Sequence, residues 1–321
     1  MRSLRIIAAV IGALALTVLM LEVAKKNARG ESEFVTRSDN GFTFEMATVP
    51  RALDMSKARL DLKITGPLTE SMQPVIRYGG LQTTSTSLMP DVVPLVLADS
   101  SKGTWFTEFS TGARGGIRQY RFEVLDEREK VVASFSMPDG APFETKFRGG
   151  VPMLVLIGHL GFMFGTVFFV ALATVFGIGV LLGSVRLRVP LLFILLAGLF
   201  TLLGGYPFGF AMNWYAFGSI WEGVPFGTDA TDNKTQILLV YFLLAIFSGL
   251  GTITKQKYGR DVFGKSGLAA MAVLSFLVLL GIYLIPHSIQ FSPTTIYAVC
   301  YSLIALCALV YLVGYLRSRR A

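Results

Sequence analysis

The chain has 321 residues, 53% of them hydrophobic and only 16% charged, with a mean hydropathy of +0.58, which is too apolar for a domain that lies wholly in water. A net charge of +8 points to nucleic acid only where basic residues share one folded face. Here 25–148 carries 17 Lys/Arg against 16 Asp/Glu, and the excess sits in the short flanks of apolar runs, so nucleic-acid binding is excluded and lipid bilayer contact is expected.

A helix of about 20 apolar residues crosses the roughly 30 Å hydrocarbon core. Six runs qualify: 6–23, part of 151–185, 189–212, 237–253, 268–285 and 296–316. Arg2 and Arg5, then Arg186 and Arg188, then Lys255, Lys257, Arg260 and Lys265, and finally Arg317, Arg319 and Arg320 fall on one side when the runs are threaded alternately. That is the positive-inside pattern, with both termini cytoplasmic.

Residues 1–25 follow Arg2 and Arg5 with an apolar stretch longer than a usual signal-peptide core. The exit LEVAKKN offers no small-x-small cleavage site, so an uncleaved anchor helix is expected. The polar stretch 26–40 reads as a linker.

From 41 to 148 the period changes to two. Leu60, Leu62 and Ile64 alternate with Asp61, Lys63 and Thr65 before Gly66 and Pro67 stop the run, as in a strand followed by a turn. Similar runs occupy 42–46, 74–78, 92–97, 104–109, 120–125, 131–136 and 143–147. Residues 126–130 form a charged hairpin connection between two of them. Seven or eight short strands in this length predict an antiparallel β-sandwich. The YxFxVxD pattern at Tyr120, Phe122, Val124 and Asp126 resembles immunoglobulin-like and fibronectin-III-like domains, which implies a fold and no function.

Residues 149–321 read as a five-span helical membrane domain. The run 151–185 would measure about 52 Å as one helix, so 151–164, which holds His159, extends beyond the core at the outer interface, tilts strongly or packs under the sandwich. No Asp, Glu, Lys or Arg falls inside a span between 151 and 316, which argues against ion-coupled transport. Gly161 with Gly165, and Gly179 with Gly183, have the spacing of close helix packing. Cys300 and Cys307 lie two turns apart on one helix, too far for a disulfide.

The polar loop 214–235 holds Glu222, Asp229, Asp232 and Lys234 between two uncharged runs. The threading places it on the same face as the only histidines, His159 and His287. Two imidazoles with Glu222, Asp229 and Asp232 form a candidate ligand set for a first-row divalent metal, and the two imidazoles alone could hold a haem. The bland readings are that Asp232 or Thr231 caps the following helix, that Asp229 closes a turn, and that His159 donates one bond to a carbonyl. Trp214, Tyr215 and Trp221 suit an interfacial aromatic belt. Asn233-Lys234-Thr235 is a formal glycosylation sequon, discounted beside a membrane.

WEGVPFGTDATDNKT at 221–235, FRGGVPMLVLIGHLGFMF at 147–164 and LIPHS at 284–288 resemble an uncharacterised family of bacterial inner-membrane proteins with a periplasmic immunoglobulin-like domain. The resemblance implies that architecture, an inner-membrane location and a periplasmic sandwich; it carries no catalytic residue. The expectation is thus a six-span α-helical membrane protein with an inserted β-sandwich, serving as a binding or assembly module for a periplasmic or membrane protein partner. The rival is a metal- or haem-binding redox protein using His159 and His287. A channel or lipid-handling protein is the third reading.

Overall fold

The computed structural model describes residues 2–28, 32–79, 91–285 and 291–320. His287 lies outside these. The chain divides into two compact units: a helical one of 1–29, 152–213 and 219–321, and a β-rich one of 30–151 with 214–218.

Eleven strands are described in the β unit, in two sheets. One has the order β1 (Phe34–Asp39), β2 (Phe42–Ala47), β4 (Lys57–Thr65), β8 (Thr104–Ser110), β7 (Val96–Asp99). The other runs β3 (Arg51–Leu53), β11 (Phe143–Arg148), β9 (Ile117–Leu125), β5 (Gln73–Tyr78), β6 (Asp91–Pro94), with β10 (Val131–Phe135) also on β9. All pairings are antiparallel except β3 with β11.

The alternation read in 57–65 is realised: Ala58, Leu60, Leu62 and Ile64 are buried and the residues between them exposed. They share one apolar core with Phe44 and Met46 of β2, Phe122 of β9, Phe135 of β10 and Phe143 of β11, so both sheets pack on the same interior. Phe44 stacks on Phe135 at 5.3 Å. The 126–130 connection is a hairpin, closed by the Asp126 N–H to the Lys130 carbonyl at 3.0 Å. Its Asp126 Oδ1 accepts the N–H groups of Arg128 and Lys130.

Two features differ from expectation. The linker assigned to 26–40 ends early, because β1 pairs along its whole length with β2; its polar residues mask a strand that buries little more than Val35. The single run at 92–97 is two strands: β6 lies at the edge of one sheet, and β7, one residue later, at the edge of the other. Pro94, which has no N–H for a ladder, ends β6.

Among the described residues five helices are long and apolar enough to cross a membrane. They are α1 (Arg2–Ala28), α2 (Met153–Leu181), α3 (Arg188–Leu203) continuing into α4 (Gly209–Phe217), α7 (Lys265–Leu284) and α8 (Pro293–Arg320). The run expected at 237–253 falls short of that standard. It is carried by α5 (Ala230–Ser248), whose first two turns are polar, and α6 (Leu250–Thr254), which follows a break at Gly249. The excess of the second run is helical: α2 starts at Met153 and has 29 residues, about 43 Å at 1.5 Å each.

Buried apolar residues of α2, α3, α5 and α7 form the main helical core, among them Val170, Ile194, Phe242 and Ala272. Polar side chains also join the helices: Thr166 and Thr201 hydroxyls lie 3.0 Å apart between α2 and α3, and Tyr241 donates to the Met271 carbonyl at 2.6 Å. Such bonds are worth about 0.6–2 kcal/mol each where water is absent. The glycine spacing acts differently from the simple expectation. Gly161 has open space where a Cβ would stand, and Gly183 lies past the end of α2. Gly165 instead receives the Phe200 ring, and Gly177 lets α2 approach the α7 backbone at Ala269, where a Cβ would stand 3.2 Å from the carbonyl oxygen.

Candidate functional site

The loop before α5 is built by side chains that satisfy its own backbone. Asp229, extended at φ −60° and ψ 125°, is the N-cap: its Oδ1 accepts the N–H groups of Thr231 at 2.8 Å and Asp232 at 2.9 Å. This corrects the assignment of the cap to Asp232 or Thr231. The helix starts one turn earlier than the apolar pattern suggests, and an aspartate preceding it meets the unpaired first-turn donors.

Asp232 is buried in the first turn, 8% exposed. Its carboxylate takes the Asn213 amide at 3.0 and 3.1 Å and the Glu222 N–H at 2.7 Å. Burial pushes its pKa up to about 6; the Glu222 and Asn213 hydrogen bonds oppose that rise, and the charges of Asp229 and Glu222 add to it.

Asn233 Oδ1 accepts the Val224 N–H at 2.9 Å and its amide donates to the Asp229 carbonyl at 2.8 Å. At 2% exposed, the sequon asparagine is enclosed. Lys234 is also buried and donates from Nζ to the Ile285 carbonyl at 2.8 Å. Burial lowers its pKa, and the charge of Asp229 counters that. The loop closes with the Asp229 N–H on the Glu222 carbonyl at 2.7 Å. A Cβ at Gly227 would collide with that same carbonyl, and the Val224–Pro225 peptide is cis.

His159 and the loop aromatics sit around a widened turn between α3 and α4. Over Gly204–Phe208 the helix has π geometry and contains Pro207, which supplies no N–H. The Gly204 carbonyl there lies 2.9 Å from His159 Nδ1. A carbonyl only accepts, so Nδ1 carries the hydrogen. Tyr206 of this turn stacks on Trp221 at 5.4 Å and 15°, and Phe210 meets Trp221 edge-on at 5.8 Å. Trp221 is therefore packed in an aromatic cluster, whereas Trp214 and Tyr215 are exposed, 47% and 37%.

Beside this cluster lies an open cavity of about 510 Å³ whose walls include Trp221, Glu222, Phe226, Asp229 and Phe291. Phe226 is 84% exposed and Phe291 40%.

Of the five residues read as a possible metal set, His287 lies outside the described residues and the other four are distributed. Asp229 and Asp232 lie within one helical turn, Glu222 meets them through its backbone, and His159 is tied to Gly204. Among the described residues no group of three or more His, Cys, Asp or Glu is arranged to hold a metal ion. Sequence reading did not find Asn213, Tyr206, Phe226 and Phe291. The first three stand at the ends of apolar runs or beside turn residues, where a polar or aromatic residue ordinarily needs no further explanation.

Compared with protein-family models and with curated proteins, the chain matches none.

Proposed function

We propose that this is a six-span bacterial inner-membrane protein whose β unit, an immunoglobulin-like sandwich on the periplasmic side, is a binding or assembly module for another envelope protein. Counting α5 with α6 as the sixth crossing puts all four basic clusters on one side. With five crossings, Arg186 and Arg188 would lie across the bilayer from Lys255–Lys265, against the positive-inside rule. The family resemblance of the three short motifs supports the same arrangement.

The observation that carries the binding role is the segment Asp91–Asp99, which among the described residues supplies an edge strand to each sheet. It leaves Val92, Val96 and Leu97 exposed at 39%, 53% and 46%. Edge strands offer unpaired backbone groups to an incoming strand, and exposed alternate side chains add specificity. A photo-crosslinker at position 97 of the full-length protein in cells tests this. A discrete adduct with one envelope protein, lost in V96K, is expected; no adduct at normal protein levels sinks the reading. Labelling with a membrane-impermeant maleimide in a Cys300→Ser, Cys307→Ser background tests the threading. Ser101→Cys is expected to label in intact cells and Lys257→Cys only after lysis.

A second reading rests on His159. With its Nδ1 hydrogen held by Gly204, the neutral ring keeps a lone pair on Nε2, the form in which an imidazole ligates a metal or haem iron. His287 would be its partner. A stoichiometric metal or a Soret band in the purified protein, abolished by H159A, supports this; a featureless spectrum with no metal rules it out.

A further inference from the structure

We propose that the cavity beside Trp221 binds a small organic ammonium group, presented either by a soluble ion of the choline type or by the headgroup of a phosphatidylethanolamine or phosphatidylcholine. The inference concerns the helical unit alone and does not rest on the role of the β unit.

The walls combine two kinds of group that together suit this chemistry. Trp221, Phe226 and Phe291 supply aromatic surface, and Glu222 and Asp229 supply carboxylates, while among the described residues no lysine or arginine lines the space. Asp229 makes its two cap bonds through Oδ1 alone, so Oδ2 has no cap partner. Glu222 is exposed and forms no ion pair among the described residues. The buried Lys234 has its ammonium on the Ile285 carbonyl. Two carboxylates therefore line the cavity, that of Asp229 also interacting with the charge of Lys234 and with the first turn of α5.

The lining joins residues of the polar loop, among them Gly227, Thr228 and Ala230, to three aromatic side chains. A hard ion such as calcium or magnesium needs about six or more oxygen ligands and gains nothing from the aromatic part. An alkylammonium spreads its charge over methyl or methylene groups that pack on aromatic faces, attracted by the ring quadrupoles, with carboxylates balancing the charge. Trp221 is held in place by its stacking on Tyr206 at 5.4 Å, which spares the ordering cost of one wall. The volume of about 510 Å³ falls in the range of small-molecule sites. Phe226, 84% exposed, forms part of the rim.

The test uses the full-length protein in neutral maltoside micelles, titrated with tetramethylammonium and followed by saturation-transfer NMR. Saturable binding that excess sodium does not displace is expected. E222Q and D229N are each expected to weaken it roughly tenfold, and F226A severalfold, the latter in line with the strength of an exposed cation–aromatic contact. D229N keeps an N-capping side chain, and an unchanged unfolding temperature shows that the fold persists. A parallel arm places the protein in phosphatidylglycerol nanodiscs with or without phosphatidylethanolamine. Enrichment of the amine lipid, reversed by tetramethylammonium, assigns the headgroup as the source; binding of the soluble ion without enrichment assigns the free ion. Absence of both, displacement by sodium at equal concentration, or binding unchanged in the E222Q/D229N double variant overturns the proposal.

Discussion

The Nζ of Lys234 lies 2.8 Å from the carbonyl oxygen of Ile285, so a side chain from the second turn of α5 caps the C-terminal end of α7. The last carbonyls of a helix have no partner within it, and that end carries partial negative charge. A buried ammonium answers both. K234M leaves the carbonyl without this donor and is expected to cost about 1–3 kcal/mol. K234Q, which keeps a donor but loses the charge, is expected to recover part of that. Thermal unfolding in detergent measures both, and equal stability of K234M and wild type would show that the contact contributes nothing.

Asp232 gives the helical unit a pH dependence of known sign. Its folded value, about 6, lies above the ordinary 3.8. The carboxyl therefore contributes stability that is fully present below 3.8 and is lost as the pH rises through about 6. D232N cannot ionise. Between about pH 4.5 and pH 7 the wild type is expected to lose stability relative to D232N, and parallel unfolding curves across that window would refute the assignment.

The cap at Asp229 separates hydrogen bonding from charge. D229A removes the acceptor of the Thr231 and Asp232 N–H groups and is expected to cost about 1 kcal/mol, whereas D229N is expected to cost only a few tenths. Amide hydrogen exchange at Thr231 and Asp232 provides a local readout: it should speed up in D229A and stay near wild type in D229N.

In the β unit, Glu123 has a side chain 1% exposed and lies 2.9 Å from Arg77 and 2.7 Å from Arg121. Removing one member of a buried charge group leaves the others unpaired in a poor dielectric, so E123A is expected to cost about 3 kcal/mol. Arg121 is 46% exposed, so R121A is expected to cost much less. Differential scanning calorimetry of the full chain, following the transition of the β unit, distinguishes the two; an equal cost would mean that burial at Glu123 does not set the penalty.

Much of the architecture could be read from side-chain order alone. The period of two in 57–65 specifies β4 because a strand puts successive side chains on opposite faces. The lengths of 151–185 and 189–212 specify long apolar helices because lipid leaves the backbone no other partner. β1 was not legible, since an edge strand with one buried residue has almost no pattern, and neither was the division of 92–97 between two sheets, which depends on where each half finds a ladder.

The loop 214–235 shows the same boundary within a single motif. Sequence alone determined that a cluster of acids interrupts two uncharged runs, and so that something polar is organised there. Which acid caps, which is buried and which faces a cavity was decided only by tertiary structure. Asn213, Glu222, Val224 and Ile285 become partners of Asp232, Asn233 and Lys234 through folding. The physical reason is that a charge's role follows from the donors and the dielectric around it, and those are supplied by residues distant in the chain.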